Sequence, residues 1–282
     1  MKNVSRTRNN RRIRRDPGTA IRHFFCDGIH AFVPPRLDNR GAQPATSSTH
    51  SAILQASGWW NLGTEAMGGE RRDWLQTVRQ TAPHMGRVLR NLAPTFELDD
   101  ISQMDRAFLE EHGIRGLIWD VDGTLTCYHG SELSALRARP IERLFADSGL
   151  RHVILSNCGE KRYDELGRMF PEVPILKAYQ TPDGIAYRQR VGGGETWEGG
   201  PPTEGMRPMR KPNVELIRFS ARVLGRESVS IAMVGDQYWT DVAGANLAGI
   251  RSIRVPPIEP HTFPKTLRVL QAVEQRLRKW IR

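Results

Sequence analysis

The chain has 282 residues, a hydrophobic content of 39% and a formal net charge of +10. No apolar run reaches the roughly 18 residues that a membrane-spanning helix needs. Three widely separated cysteines without a C-x-x-C pair argue against a disulfide framework and a zinc knuckle. These features predict a globular protein of one or two domains that is not secreted and works in a reducing compartment, either the cytoplasm or an organelle matrix.

Residues 1–63 hold ten Lys or Arg against three acidic residues, so they carry +7 of the net charge. The segment is rich in Arg, Pro, Gly and Ser and has no sustained periodicity. It is predicted to be a disordered basic tail, with a misplaced gene start or a targeting segment as alternatives. Because the charge excess lies in this tail, the folded part shows no nucleic-acid signature, and a nucleic-acid partner is not expected.

Residues 64–282 are predicted to form one domain. Apolar stretches at the following positions predict strands and alternate with helical patterns: 116–120, 151–157, 173–178, 230–236 and 252–255. Such alternation predicts an α/β fold, a parallel sheet with helices on both faces, and ligands bind beyond the carboxyl ends of such strands. Asp120, Ser156 and Asp236 fall at three of these ends. No long insert follows Asp122, so a large cap domain is not expected.

Two segments of this domain leave alternatives open. In residues 181–210, eleven of thirty residues are Gly or Pro, which predicts an irregular loop that is either a lid or disordered. Residues 264–282 predict a basic amphipathic helix, which either packs on the sheet or lies on an anionic membrane surface. The apolar positions of that helix are Leu267, Leu270, Val273, Leu277 and Trp280.

The stretch L-I-W-D-V-D-G-T ends a buried strand with two carboxylates. Asp120 and Asp122 lie two residues apart and therefore share one face of a strand. Two charges about 4 Å apart repel by about 4 kcal/mol at an effective dielectric constant of roughly 20. A cation, a shared proton or a reaction is expected to use this pair. Taken alone, the motif also fits a turn or a calcium-binding loop.

Four motifs follow one another along the chain and support the interpretation of the carboxylate pair as part of a reactive site. They are D-V-D-G-T, I-L-S-N, K-P-N and G-D-Q-Y-W-T-D. Together they resemble the haloacid dehalogenase (HAD) superfamily of phosphohydrolases, whose Rossmann-like α/β fold and Mg²⁺ cofactor are thereby implied. In that family Asp120 would be the nucleophile and Asp122 the general acid and base. Implied phosphate-binding residues are Gly123, Thr124, Ser156, Asn157 and Lys211. Implied metal-binding residues are Asp120, Asp122 through its carbonyl, Asp236 and Asp241.

Three segments point to one branch of the superfamily: G-I-R-G-L-I-W-D-V-D-G-T-L, the G-D-Q-x-x-T-D-V signature and the closing basic helix. These are similar to the YqeG and mitochondrial phosphatidylglycerophosphatase branch of the superfamily. That branch typically has Asn at the position of Gly123 and almost no loop before Lys211. The resemblance implies a phosphomonoester substrate, with the anionic phospholipid phosphatidylglycerophosphate expected first. Soluble sugar or nucleotide phosphates, nucleic-acid ends and a non-enzymatic scaffold on the same fold are the alternatives.

Overall fold

The computed structural model describes residues 79–80, 82–200 and 204–281. The predicted tail at 1–63 and the first residues of the predicted domain lie outside the described residues. The strands are β1 (Phe96–Glu97), β2 (Gly116–Trp119), β3 (Arg151–Leu155), β4 (Ile175–Thr181), β5 (Gly184–Val191), β6 (Gly194–Glu198), β7 (Arg207–Pro208), β8 (Ile231–Gly235) and β9 (Arg251–Arg254). The α-helices are α1 (Met85–Leu89), α2 (Arg106–Glu111), α3 (Ala138–Phe145), α4 (Glu160–Met169), α5 (Val214–Leu224), α6 (Ala243–Ala248) and α7 (Lys265–Ile281).

The described strands form one mixed sheet in the order β1-β9-β8-β2-β3-β4-β5-β6, and β7 pairs with β4. All pairs from β1 to β4 along this order are parallel, whereas β5, β6 and β7 run antiparallel to their neighbours. The predicted α/β fold with a largely parallel sheet is therefore confirmed. None of the described helices has the length and apolar character to cross a bilayer.

Strand β2 lies in the middle of the parallel part, which explains why its sequence is continuously apolar. Its four residues are all buried. Leu117 and Trp119 belong to a core with α2, α3 and α4, whereas Ile118 belongs to a second core with α5 and α6. A strand with helices on both faces has no solvent side, so it needs apolar residues at consecutive positions.

The expectation of an irregular loop at 181–210 is wrong for most of its length. Residues 184–198 form the antiparallel strands β5 and β6, which extend the sheet beyond β4. Arg188 joins this hairpin to α4, because its guanidinium contacts Glu160 at 2.5 Å and lies over the Tyr163 ring at 4.5 Å. Five of the eleven Gly and Pro residues that suggested irregularity lie in, or directly after, the two turns that precede β5 and β6. This hairpin is a part of the sheet.

Candidate active site

Three adjacent parallel strands bring the predicted residues to one edge of the sheet. Asp120 follows β2, Ser156 follows β3 and Asp236 follows β8, and β2 pairs with both of the other strands. A cavity of about 510 Å³ opens at this edge, and Asp120, Asp122, Ser156 and Lys211 line it. The strand pairing thus explains why residues more than a hundred positions apart meet in one site.

Three buried carboxylates cluster at this site, and one of them, Asp120, lines the cavity. The cluster consists of Asp120, Asp236 and Asp241, each of which offers one carboxylate oxygen. These oxygens lie within 4.8 Å of one another, and all three residues are buried. Asp236 Oδ1 is buried and has no hydrogen-bond partner among the described residues. Unpaired buried oxygens are costly unless a cation or a donor reaches them. The carboxylate set therefore fits a metal ion. The Asp122 carboxylate is not part of this cluster, and metal binding through the Asp122 carbonyl stays a prediction.

Lys211 supplies the positive charge that the described structure places in the cluster. Its Nζ lies 2.6 Å from Asp120 Oδ1 and 2.7 Å from Asp241 Oδ1, and the residue is 2% exposed. The Asn157 side chain fixes this lysine, since its Oδ1 accepts the Lys211 N–H at 2.7 Å and its Nδ2 donates to the Lys211 carbonyl at 3.1 Å. The amide of Asn157 is thus committed to positioning Lys211, which differs from the predicted role as a phosphate ligand.

Burial and mutual repulsion dominate the electrostatics of the cluster. Burial raises the pKa of Asp120 to about 7, with Lys211 opposing and Asp241 reinforcing the shift. Burial and the charge of Asp120 also raise the pKa of Asp236 well above its usual range. Although burial alone would lower the pKa of Lys211, the two carboxylates beside it raise that pKa above its ordinary value. One lysine does not offset three buried carboxylates, so the site favours an additional proton or cation.

Gly123 makes the sharp exit from the strand possible. Its φ is +91°, and a Cβ at this position would lie 2.5 Å from the Phe263 ring and 3.0 Å from Asp236 Oδ2. The N–H groups of Gly123 and Thr124 donate within the turn, to the carbonyls of Thr126 and Val121. Neither N–H is open to a phosphate oxygen in this arrangement. Phosphate binding by these two residues stays a prediction, and the structure gives Gly123 a steric role.

Asp122 has a partner that the sequence analysis missed. Its Oδ1 accepts a hydrogen bond from the His129 N–H at 3.0 Å and another from Arg162 Nη2 at 3.0 Å. Arg162 lies in the first turn of α4 and is 4% exposed. A charged residue in the sequence E-K-R at a helix start is typical of a solvated surface. The only signal available was its position six residues after Ser156, at the carboxyl end of β3.

The carboxyl-terminal helix α7 also reaches the site. Gln271 Nε2 donates to Asp236 Oδ2 at 2.9 Å, and Glu274 Oε1 accepts the Trp239 N–H at 3.0 Å. Leu267 and Leu270 line the cavity. The first part of the predicted apolar stripe therefore packs on the domain, whereas Val273 is 44% exposed. The side chains of the last predicted stripe positions, 277 and 280, lie outside the described residues.

Comparisons with known proteins found one family model, one named protein and one solved structure that are similar to this chain. Residues 208–256, which include Lys211, Asp236 and Asp241, match the HAD-hydrolase-like family model. The chain is 22% identical over 261 residues to an Arabidopsis thaliana protein named phosphatidylglycerophosphate phosphatase 1, chloroplastic/mitochondrial. The similar region covers 90% of this chain and 68% of that protein. A crystal structure of an uncharacterized protein from Listeria monocytogenes serotype 4b covers 57% of this chain and 99% of its own at 18% identity, with a TM-score of 0.34.

The part of the chain that holds Lys211, Asp236 and Asp241 is thus similar to HAD-like hydrolases, and the α/β fold and the carboxylate cluster are consistent with that similarity. The Arabidopsis protein is a distant relative, and its named activity concerns that protein.

Proposed function

We propose that the protein is a Mg²⁺-dependent phosphomonoester hydrolase that works through an aspartyl-phosphate. The observation that carries this proposal is the contact between Lys211 and Asp120 beside the three-carboxylate cluster, at the bottom of a cavity. A nucleophile, a cation site and a cationic side chain are what phosphoryl transfer requires. The match to the HAD-hydrolase-like family supports the same reaction class.

In the first step, an Asp120 carboxylate oxygen attacks phosphorus and the bond from phosphorus to the ester oxygen breaks. Asp122 gives its proton to the departing oxygen, so the alcohol leaves neutral. In the second step, Asp122 takes a proton from water, whose oxygen attacks phosphorus and displaces Asp120. The sum is ester plus water to alcohol plus phosphate.

Asp120, Asp236 and Asp241 would hold the ion, together with the Asp122 carbonyl. Bound Mg²⁺ would offset the charge of the phosphate oxygens. Lys211 and Ser156 would bind those oxygens from the cavity wall.

Phosphatidylglycerophosphate is the substrate we propose first. The name of the Arabidopsis relative supports it, as does the resemblance of the motifs to the phosphatidylglycerophosphatase branch. Apolar side chains also line the cavity, and they suit a substrate with an acyl or membrane-embedded part. They are Met85, Trp239, Phe263, Leu267 and Leu270. The organelles in the relative's name agree with our proposal of a reducing compartment such as an organelle matrix.

The test is a screen of the purified protein with Mg²⁺ against several phosphomonoesters, with released phosphate as the readout. The panel contains phosphatidylglycerophosphate in mixed micelles, glycerol phosphate, nucleoside monophosphates and a phosphorylated DNA end. The proposal predicts the highest kcat/KM for the lipid. Preference for a soluble ester would keep the reaction and replace the substrate. Absence of hydrolysis across the panel, with folded protein and Mg²⁺ present, would contradict the proposed function.

A further inference from the structure

The pair of Arg162 and Asp122 connects α4 to the proton-transferring carboxylate of the proposed reaction. Arg162 is not among the residues that line the cavity, and its side chain is 4% exposed, against 18% for Asp122. The arginine thus lies behind Asp122, on the side away from the cavity. A residue in this place acts on the reaction only through the carboxylate that it holds.

The Arg162 guanidinium is held independently of Asp122. The same Nη2 that contacts Asp122 donates to the Gly130 carbonyl at 2.8 Å. Its Nη1 donates to Glu165 Oε2 at 3.3 Å. Contacts on both terminal nitrogens fix the plane of the group, so its position is set by the surrounding fold and the group can serve as a rigid reference for Asp122.

Among the described residues, both hydrogen bonds to the Asp122 carboxylate fall on Oδ1. The His129 N–H and Arg162 Nη2 both reach that atom at 3.0 Å. With Oδ1 occupied from two directions, Oδ2 is the oxygen left to exchange a proton with a group in the cavity. His129, whose N–H makes one of these two hydrogen bonds, has an unusual backbone conformation with a φ of +55°.

We propose that Arg162 is a positioning residue for proton transfer, which holds Asp122 by Oδ1 so that Oδ2 faces the leaving oxygen and then the attacking water. This inference rests on the proposed phosphohydrolase function. A purely structural role predicts that loss of Arg162 weakens the fold and slows all substrates alike. A positioning role predicts a loss that depends on how much the leaving group needs a proton, because geometry at a reacting centre is sensitive to shifts of about 1 Å.

The experiment compares kcat/KM for two soluble probes, glycerol 1-phosphate and 4-nitrophenyl phosphate, in the full chain with Mg²⁺. An alkoxide must be protonated as it leaves, whereas 4-nitrophenolate leaves as a stable anion. General acid catalysis typically contributes about 10²- to 10⁴-fold. Arg162→Met should therefore lower kcat/KM for glycerol 1-phosphate about 100-fold and for 4-nitrophenyl phosphate less than about tenfold. Arg162→Lys should recover part of the selective loss, since an ammonium can still pair with Oδ1.

Glu165→Gln is the matched control, because it removes the other ionic partner of Arg162 and leaves Asp122 untouched. Its ratio of the two kcat/KM values should equal that of the wild type. If Arg162→Met does not fold, the comparison of Arg162→Lys with Glu165→Gln carries the test. Equal losses on both probes in the Arg162 variants would overturn the inference alone. A wild type that hydrolyses neither probe nor any ester of the wider panel would overturn the proposed function and this inference with it.

Discussion

Replacing Asp236 by Asn should stabilise the metal-free protein and abolish its response to Mg²⁺. The carboxylate atoms of the cluster lie within 4.8 Å of one another, so one charged pair repels by about 3 kcal/mol at an effective dielectric constant of about 20. The protein relieves part of this by binding protons, since the pKa of Asp236 is raised by burial and by Asp120. An amide keeps an oxygen for the Gln271 hydrogen bond and removes the charge. We expect a net gain of about 2 kcal/mol, which corresponds to roughly 4–8 °C in Tm for a domain of this size.

The assay is thermal unfolding in EDTA and in saturating Mg²⁺. Wild-type protein should gain about 2.7 kcal/mol at a Mg²⁺ concentration 100 times Kd, whereas Asp236→Asn should gain little. Asp122→Asn is the contrasting variant. It leaves Arg162 buried without its carboxylate, so it should lower stability and keep the Mg²⁺ response. An Asp236→Asn protein that is less stable than wild type in EDTA and still responds to Mg²⁺ would refute the assignment of this cluster as the cation site.

Three further predictions concern the surroundings of the site. Gln271→Leu should weaken Mn²⁺ affinity about 10- to 100-fold in calorimetric titration, because residues that orient metal ligands typically contribute that much; unchanged affinity would remove the glutamine from the site. Burial lowers the pKa of His152 to about 4, below its unfolded value of about 6.5, so the stability it contributes is present above pH 6.5 and is lost as the pH falls. The loss should be about 1.4 kcal/mol at pH 5.5 in urea unfolding, and His152→Gln should flatten the profile between pH 7.5 and 5.5. Exposed Arg268 and Arg276 on α7 should attract anionic vesicles. Replacing either by Gln should reduce salt-sensitive binding about fivefold, because a basic residue near an anionic surface contributes about 1 kcal/mol. Equal binding of wild type and variants would argue against a membrane contact through this helix.

The core of the site was predictable from the sequence because local signals and one topological rule sufficed. A continuously apolar strand before Asp120, and similar strands before Ser156 and Asp236, placed all three residues at carboxyl strand ends. Parallel pairing of neighbouring strands then brought those ends together. The apolar pattern of each segment marks where its strand ends, so the positions of these residues follow from local sequence and the pairing rule.

The contacts that the sequence analysis missed depend on tertiary placement. Arg162 meets Asp122 across 40 positions, and Gln271 meets Asp236 across 35. Nothing local to either residue distinguishes it from a solvated polar side chain of an amphipathic helix. Both pairings follow from where α4 and α7 lie on the sheet, and helix placement is decided by packing between distant segments.

The hairpin at 184–198 was missed for a different reason. The high Gly and Pro content of the whole segment suggested an irregular loop, whereas the positions of some of these residues mark the turns of a hairpin. Pro182 and Asp183 connect β4 to β5, and a glycine pair at 192–193 connects β5 to β6. Turn residues between runs with β-branched and aromatic side chains predict a hairpin. Composition alone does not separate such a hairpin from an irregular loop.

Phosphoryl transfer to Asp120 is tested most directly by rapid quenching of the reaction with 4-nitrophenyl phosphate and Mg²⁺, followed by mass spectrometry of the protein. The proposed mechanism predicts one phosphoryl group on the peptide that contains Asp120 in the wild-type protein. It predicts a larger fraction of phosphorylated protein in Asp122→Asn, whose second step lacks a base, than in the wild type. It also predicts neither adduct nor turnover in Asp120→Asn. Hydrolysis by Asp120→Asn at the wild-type rate, or a phosphoryl group on another residue, would contradict it.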